Sequence, residues 1–244
     1  MIYLSKKYFF LLVFTVFSSA QNLKIDESLQ NGIYDLYSYN FSSSTKHLNT
    51  VLELDRSNSI APFLLIVNDW LMNQTEFGYN ESYEAIISGV KNTIPKYKAL
   101  ISVYPNKAEY YLFLGSTYGL KARVSLASKD WLDVLYSGYA GIKYIKEAQK
   151  IDSTLYDVNL SIGLLEYFLC ISSVPVQFVG KFMGFKCDCE VGKENLELAL
   201  KESKYAWIES ANILSYIYLY FERDYDNALR TSSLLVDNFP DHPL

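Results

Sequence analysis

The stretch Glu109-Tyr-Tyr-Leu-Phe-Leu-Gly-Ser-Thr-Tyr118 decides how this chain folds. Tyr111, Leu114, Gly115 and Tyr118 recur at the spacing of one face of an α-helix, and the Gly removes a side chain where a second helix can approach closely. A matching helix lies downstream, carrying Gly141, Ile145 and Ala148 before a stop at Asp152-Ser153. The two predict an antiparallel helix hairpin. They stand far apart, so either both helices are long or Leu126-Ala-Ser-Lys-Asp130 forms an added loop.

The pattern recurs on either side. Ile162-Gly163 with Tyr167 opens another pair, closed by Gly192, Leu196 and Ala199 after an insertion over 171–185. Ala211, Leu214, Ser215 and Tyr218 open a last pair, closed by Ala228 and Pro240, and Ser44, Leu48 and Val51 fit the mould more loosely. Toward the N-terminus the periodicity predicts helices over Glu27–Asn40, Lys46–Asp55 (capped by the hydroxyls of Ser42 to Thr45), Ala61–Asn73 and Glu81–Val103, the last kinked at Pro95. With only 11 Gly and 6 Pro in 244 residues, turn signals are too sparse for a many-stranded sandwich or barrel.

Tyr111, Leu114, Gly115 and Tyr118 resemble the W-x2-L-G-x2-Y helix of a tetratricopeptide repeat, and the stretch from Ile162 to Pro243 is similar to exported bacterial tetratricopeptide proteins. These relate distantly to the mitochondrial outer-membrane and inclusion-body-clearance tetratricopeptide group. The resemblance implies an all-α fold, an irregular tetratricopeptide-like α-solenoid of antiparallel helix hairpins whose concave face binds a peptide or partner domain. The expected divisions are a signal peptide over 1–20, degenerate N-terminal hairpins over 21–106, and repeats over 107–244.

The signal reading rests on order. Lys6 and Lys7 precede the apolar run Tyr8 to Phe17, and Ser18-Ser-Ala20 supplies small residues for cleavage. The run is about half the ~20 residues that span a bilayer. Losing Lys6 and Lys7 takes the formal net charge from −5 to −7. The expected product is an exported acidic protein, periplasmic or extracellular, with outer-membrane association as a further option. Its scattered Lys and Arg offer no basic stripe for phosphate backbones, so nucleic acid is not an expected partner.

Catalytic constellations are poorly supplied. The only histidines are His47 and His242, so no two-histidine zinc helix can be written. Gly115-x3-Gly119 reads as helix packing and Ser43-x2-Lys46 as capping, since the Ser-Lys nucleophile motif would need companion elements. The expectation is no enzyme, no cofactor and no metal. Cys187-Asp-Cys189 is a poor metal pair without further ligands, whereas a disulfide from Cys170 to Cys187 or Cys189 would staple the insertion in an oxidising compartment.

Candidate partner-binding residues follow from the hairpin reading. Glu109, Asp157 and Glu209 each precede a first packing position, and Glu166, Tyr167, Tyr216 and Tyr220 are placed on the same face. Acids with tyrosines suit a basic or extended peptide, although acids at helix starts also complement the helix dipole. The apolar insertion has two readings: packing across the solenoid, favoured because only Lys181 and Lys186 would serve a polar side, or peripheral contact with a membrane. The leading expectation is therefore a non-enzymatic protein-binding scaffold of the cell envelope with an acidic, tyrosine-rich groove. The alternatives are an envelope-assembly subunit that touches a membrane or membrane protein through 171–185, and an enzyme with an unfamiliar site near Glu166. Since solenoids need covered ends, homo-oligomerisation through the C-terminal helix is a further expectation.

Overall fold

The computed structural model describes residues 21–241; residues 1–20, over which a signal peptide is expected, and 242–244, His242 among them, lie outside these. Helix α1 covers 21–37, followed by α2 (Phe41–Leu54), α3 (Ala61–Glu76), α4 (Tyr79–Val103), α5 (Ala108–Ala127) and α6 (Trp131–Ile151). Then come α7 (Val158–Cys170), α8 (Val174–Phe182), α9 (Cys189–Glu202), α10 (Trp207–Tyr216), a π-helical segment (Ile217–Glu222) and α11 (Tyr225–Asn238). The described residues contain no strand, and the chain is an all-α solenoid of antiparallel hairpins.

The hairpins are α3/α4, α5/α6, α7/α9 and α10/α11, each packed on the next mainly by its second helix, α4 on α5, α6 on α7 and α9 on α10. Their crossings use the glycines. A Cβ on Gly115 would lie 2.8 Å from the Gly141 carbonyl oxygen, and one on Gly163 would lie 2.7 Å from that of Gly192. Those backbones touch because neither residue has a side chain, so both hairpins cross at one closest point. Gly119 does not share this role, since a Cβ there would meet nothing within 4 Å. The long separation in the α5/α6 pair resolves as two long helices of 20 and 21 residues with a short turn, where Asp130 caps α6 by accepting from the Asp133 N–H.

The N-terminal region departs from expectation at α2. α2 begins at Phe41, so Ser42 to Thr45 lie inside the helix rather than capping it, and the buried Ser44 donates instead to the Gly32 carbonyl at 2.8 Å. α4 runs from Tyr79 to Val103 through Pro95. Pro95 sits on the exposed face, where the carbonyl of Lys91 that it cannot serve is open to solvent.

α1 and α2 form an antiparallel hairpin, Gly32 against Leu48, that does not simply extend the series. The first half of α1 lines a cleft with Glu109, Leu112 and Phe113 of α5, Asp157, Lys204 and Tyr205. Its second half reaches the last hairpin, where Tyr34 and Tyr37 pack on Phe239. One continuous core therefore joins Leu29 and Leu36 to Phe113, Ile208, Ala211 and Leu235. Each fully buried leucine of this kind stabilises the fold by about 1.5–3 kcal/mol. α1 acts as a strut across the starts of the later hairpins.

Candidate functional site

The first helices of the hairpins α3, α5, α7 and α10 start at one edge of the solenoid and end at the other. The two edges differ in chemistry.

At the starting edge, α1 lies across the starts of α5 and α10, and two of the predicted acids, Asp157 and Glu209, are occupied there. Asp157 is buried and accepts from the backbone N–H groups of Lys204, Tyr205 and Ala206 at 3.2, 2.8 and 2.9 Å, so it closes the α9–α10 turn. Glu209 accepts from the Tyr37 hydroxyl at 2.8 Å. Burial pushes the Glu209 carboxyl above its usual range, against the opposing hydrogen bonds from Tyr37 and Asn212 and the more distant Arg123 charge. Burial, with the Glu209 charge beside it, holds the Tyr37 hydroxyl well above the usual phenol value. Glu109 and Asp157 share a cleft of about 390 Å³ that also holds Asp26 and Lys204.

Glu166 and Tyr167 are likewise spent inside the fold. Glu166 is buried, and its two oxygens accept from the N–H groups of Lys186 and Cys187 at 2.9 and 2.7 Å, fastening the loop after α8 to α7. Tyr167 is buried and donates to Glu222 at 2.9 Å, which ties α7 to the π-helical segment. The Tyr167 hydroxyl is held well above its usual value by burial first and by Glu222 second. A single groove presenting Asp157, Glu166, Tyr167 and Glu209 to a peptide is therefore replaced by a set of internal fasteners. Each is a carboxylate or phenol that satisfies a loop or helix end, as buried polar groups must be satisfied.

The other edge, where first helices end and second helices begin, is apolar and exposed. After α3 it shows Phe77 and Tyr79; at the start of α6, Trp131, Leu132, Leu135, Tyr136 and Tyr139. After α7 come Phe168, Ile171 and the outer face of α8, and after α10, Tyr216, Tyr220 and Phe221. Tyr216 and Tyr220 lie with ring centroids 4.5 Å apart and planes tilted by 47°, and the Phe221 ring meets the buried Tyr167 edge-on. The π-helical segment makes this possible: its extra residue turns Ile217 and Tyr218 inward and Tyr220 and Phe221 outward before Arg223 (φ 57°) ends it. Of the predicted residues, Tyr216 and Tyr220 are exposed on this edge, while Glu109 stays half-buried in the cleft at the other.

The insertion corrects the expectation that it packs across the solenoid. Val174, Phe178 and Phe182 follow one another at helical spacing on α8 and are 77%, 73% and 87% exposed. Only Gly180 of α8 is buried, where a Cβ would strike Leu169 at 2.7 Å. The helix thus lies against the end of α7 by its glycine and turns its large residues outward. It is held from both sides. Cys170 and Cys189 form a disulfide, Cα atoms 5.3 Å apart, leaving Cys187 as a thiol within reach of the Gln177 carbonyl. The Lys146 ammonium donates to the Met183 carbonyl at 3.0 Å and lies over the Phe185 ring.

No family model and no curated protein matches this chain. Among the described residues, no group of His, Cys, Asp and Glu is arranged to hold a metal ion, and His47 pairs only with Asp35 at 3.6 Å. No helix among them is long and apolar enough to cross a membrane. Sequence reasoning placed the partner face on the helix starts because acids cluster there. The signal for the opposite edge was present in the aromatic-rich run 131–139 and in 174–182, whose apolar residues fit a core equally well.

Proposed function

We propose that this chain is a non-enzymatic scaffold of the tetratricopeptide type that works in an exported, envelope compartment and engages its partner by the apolar edge. The carrying observation is the run of exposed aromatic and aliphatic side chains at successive helix turns, Leu132 and Tyr136, Phe178 and Phe182, Tyr216 and Tyr220. Exposed apolar groups gathered on one edge mark an interaction site on a folded protein. The packing of α1 supports the same reading, because it and the Tyr37–Glu209 bond occupy the starts of α5 and α10. Export rests on the Lys6 to Ala20 segment, and the disulfide suits an oxidising compartment.

Replacing Leu132, Tyr136, Phe178 and Phe182 together by Ser tests the reading in cells. The account expects the wild-type chain in a large complex or particulate fraction and the variant free and monomeric, with an unchanged helical circular-dichroism spectrum. An unchanged distribution of the folded variant overturns it.

A further inference from the structure

From the geometry we infer that α8 is a membrane-surface anchor, whose occupant is an anionic lipid surface. This rests on the edge reading above and names its partner. Three observations carry it.

The first is shape. Val174, Phe178 and Phe182 stand on one side of a nine-residue helix, and that helix projects from the end of α7 instead of filling the core. A helix with an apolar face of this length lies in an interface plane and is too short to span one.

The second is charge. The chain has 27 acidic residues, yet none falls between Glu166 and Asp188, a segment whose only charges are Lys181 and Lys186. Glu166 itself turns inward onto the Lys186 and Cys187 amides, so its charge faces away from the outer surface. An acidic protein would be repelled by an anionic bilayer, and this segment, like 85–108 with its four lysines, is one where that repulsion is locally reversed; only here do the lysines flank a projecting apolar helix. Lysines beside an inserted apolar face add attraction for anionic headgroups. A protein partner would find richer aromatic surface at α6, where Asp130 and Asp133 sit among the exposed rings.

The third is rigidity. The disulfide, the two Glu166 bonds and the Lys146 contact with the Met183 carbonyl fix both ends of the projecting helix. Insertion of Phe178 and Phe182 then orders no further backbone, and less of the gain from burial is lost to ordering.

The test uses the protein as its own cells produce it, mixed with phosphatidylcholine vesicles with or without phosphatidylglycerol. The expected result is binding to the anionic vesicles, about tenfold or more weaker to the zwitterionic ones. Phe178→Ser with Phe182→Ser, or Lys181→Glu with Lys186→Glu, should weaken anionic binding by a similar factor. In a Phe182→Trp variant, brominated acyl chains should quench fluorescence beyond the level seen in the parent. Absence of binding, equal binding to both vesicles, undiminished binding of the double variants, or no added quenching at position 182 overturns the lipid assignment. If vesicles fail while the four-serine variant still leaves its complex in cells, the occupant is a protein and the edge reading stands; if both fail, both fall.

Discussion

The hydroxyl of Tyr37 donates to a carboxylate oxygen of Glu209 at 2.8 Å, joining the first described helix to one that begins 170 residues later in the chain. The bond makes α1 a part of the last hairpin's packing. It also gives the fold a pH response.

Because the Glu209 carboxyl is raised in the folded chain, mainly by burial, the unfolded chain releases its proton first as pH rises. The unfolded state then binds fewer protons, so this group's contribution to stability falls from the ordinary carboxylate pKa upward through the folded one. Glu209→Gln keeps an oxygen for Tyr37 and removes that loss. Its unfolding midpoint should be less pH-sensitive across weakly acid conditions than the parent's and equal or higher at neutral pH. Tyr37→Phe leaves the carboxyl without one of its hydrogen bonds and should cost about 1–3 kcal/mol by denaturant titration.

The glycine crossings predict opposite signs at neighbouring sites. A Cβ on Gly192 would lie 2.6 Å from the Tyr167 amide nitrogen, and one on Gly163 would lie 2.7 Å from the Gly192 carbonyl oxygen. Gly192→Ala and Gly163→Ala should each destabilise by about 1–3 kcal/mol. Gly119 and Gly138, also helical, would meet nothing. There Ala should stabilise by about 0.5–1 kcal/mol, read as a raised thermal midpoint.

Cys170 and Cys189 close a loop across a sequence separation of 19, which constrains the unfolded chain by about 3 kcal/mol in the chain-entropy account. Cys170→Ser with Cys189→Ser should lower the midpoint accordingly. Trypsin should then cut first at Lys181 or Lys186, because the loop after α8 keeps only Glu166 and Lys146 as fasteners. Adding Glu166→Ala should make that cleavage faster still.

How much of this was legible in the sequence depends on whether a residue's partner was local. Gly115 with Gly141, and Gly163 with Gly192, were readable because a small residue within a helical apolar face has one common use, close approach of a second helix. Long α5 and α6 were one of two readings that the periodicity allowed, an added loop over Leu126–Asp130 being the other. Asp157 and Glu166 were misplaced because their bonding partners, the amides of residues 204–206 and 186–187, are set by tertiary packing and leave no periodic trace. α8 was misplaced for a different reason: Val174, Phe178 and Phe182 would look the same in a core, and only the seating of Gly180 on Leu169 turns them outward. The π-helical turn had no signal, since Ile217-Tyr-Leu-Tyr-Phe221 reads as a plain continuation of α10.

The central claim is that this solenoid works from its apolar edge and not from the edge that α1 crosses. Site-specific photocrosslinking tests it most directly, with a benzophenone amino acid replacing Tyr136, Phe178 or Tyr216 on one edge and Tyr104 on the other, in the chain's native cells. The account predicts adducts, to protein or lipid, from the first three positions and none from the fourth. Adducts from position 104 alone, or from none of the three edge positions, would contradict it.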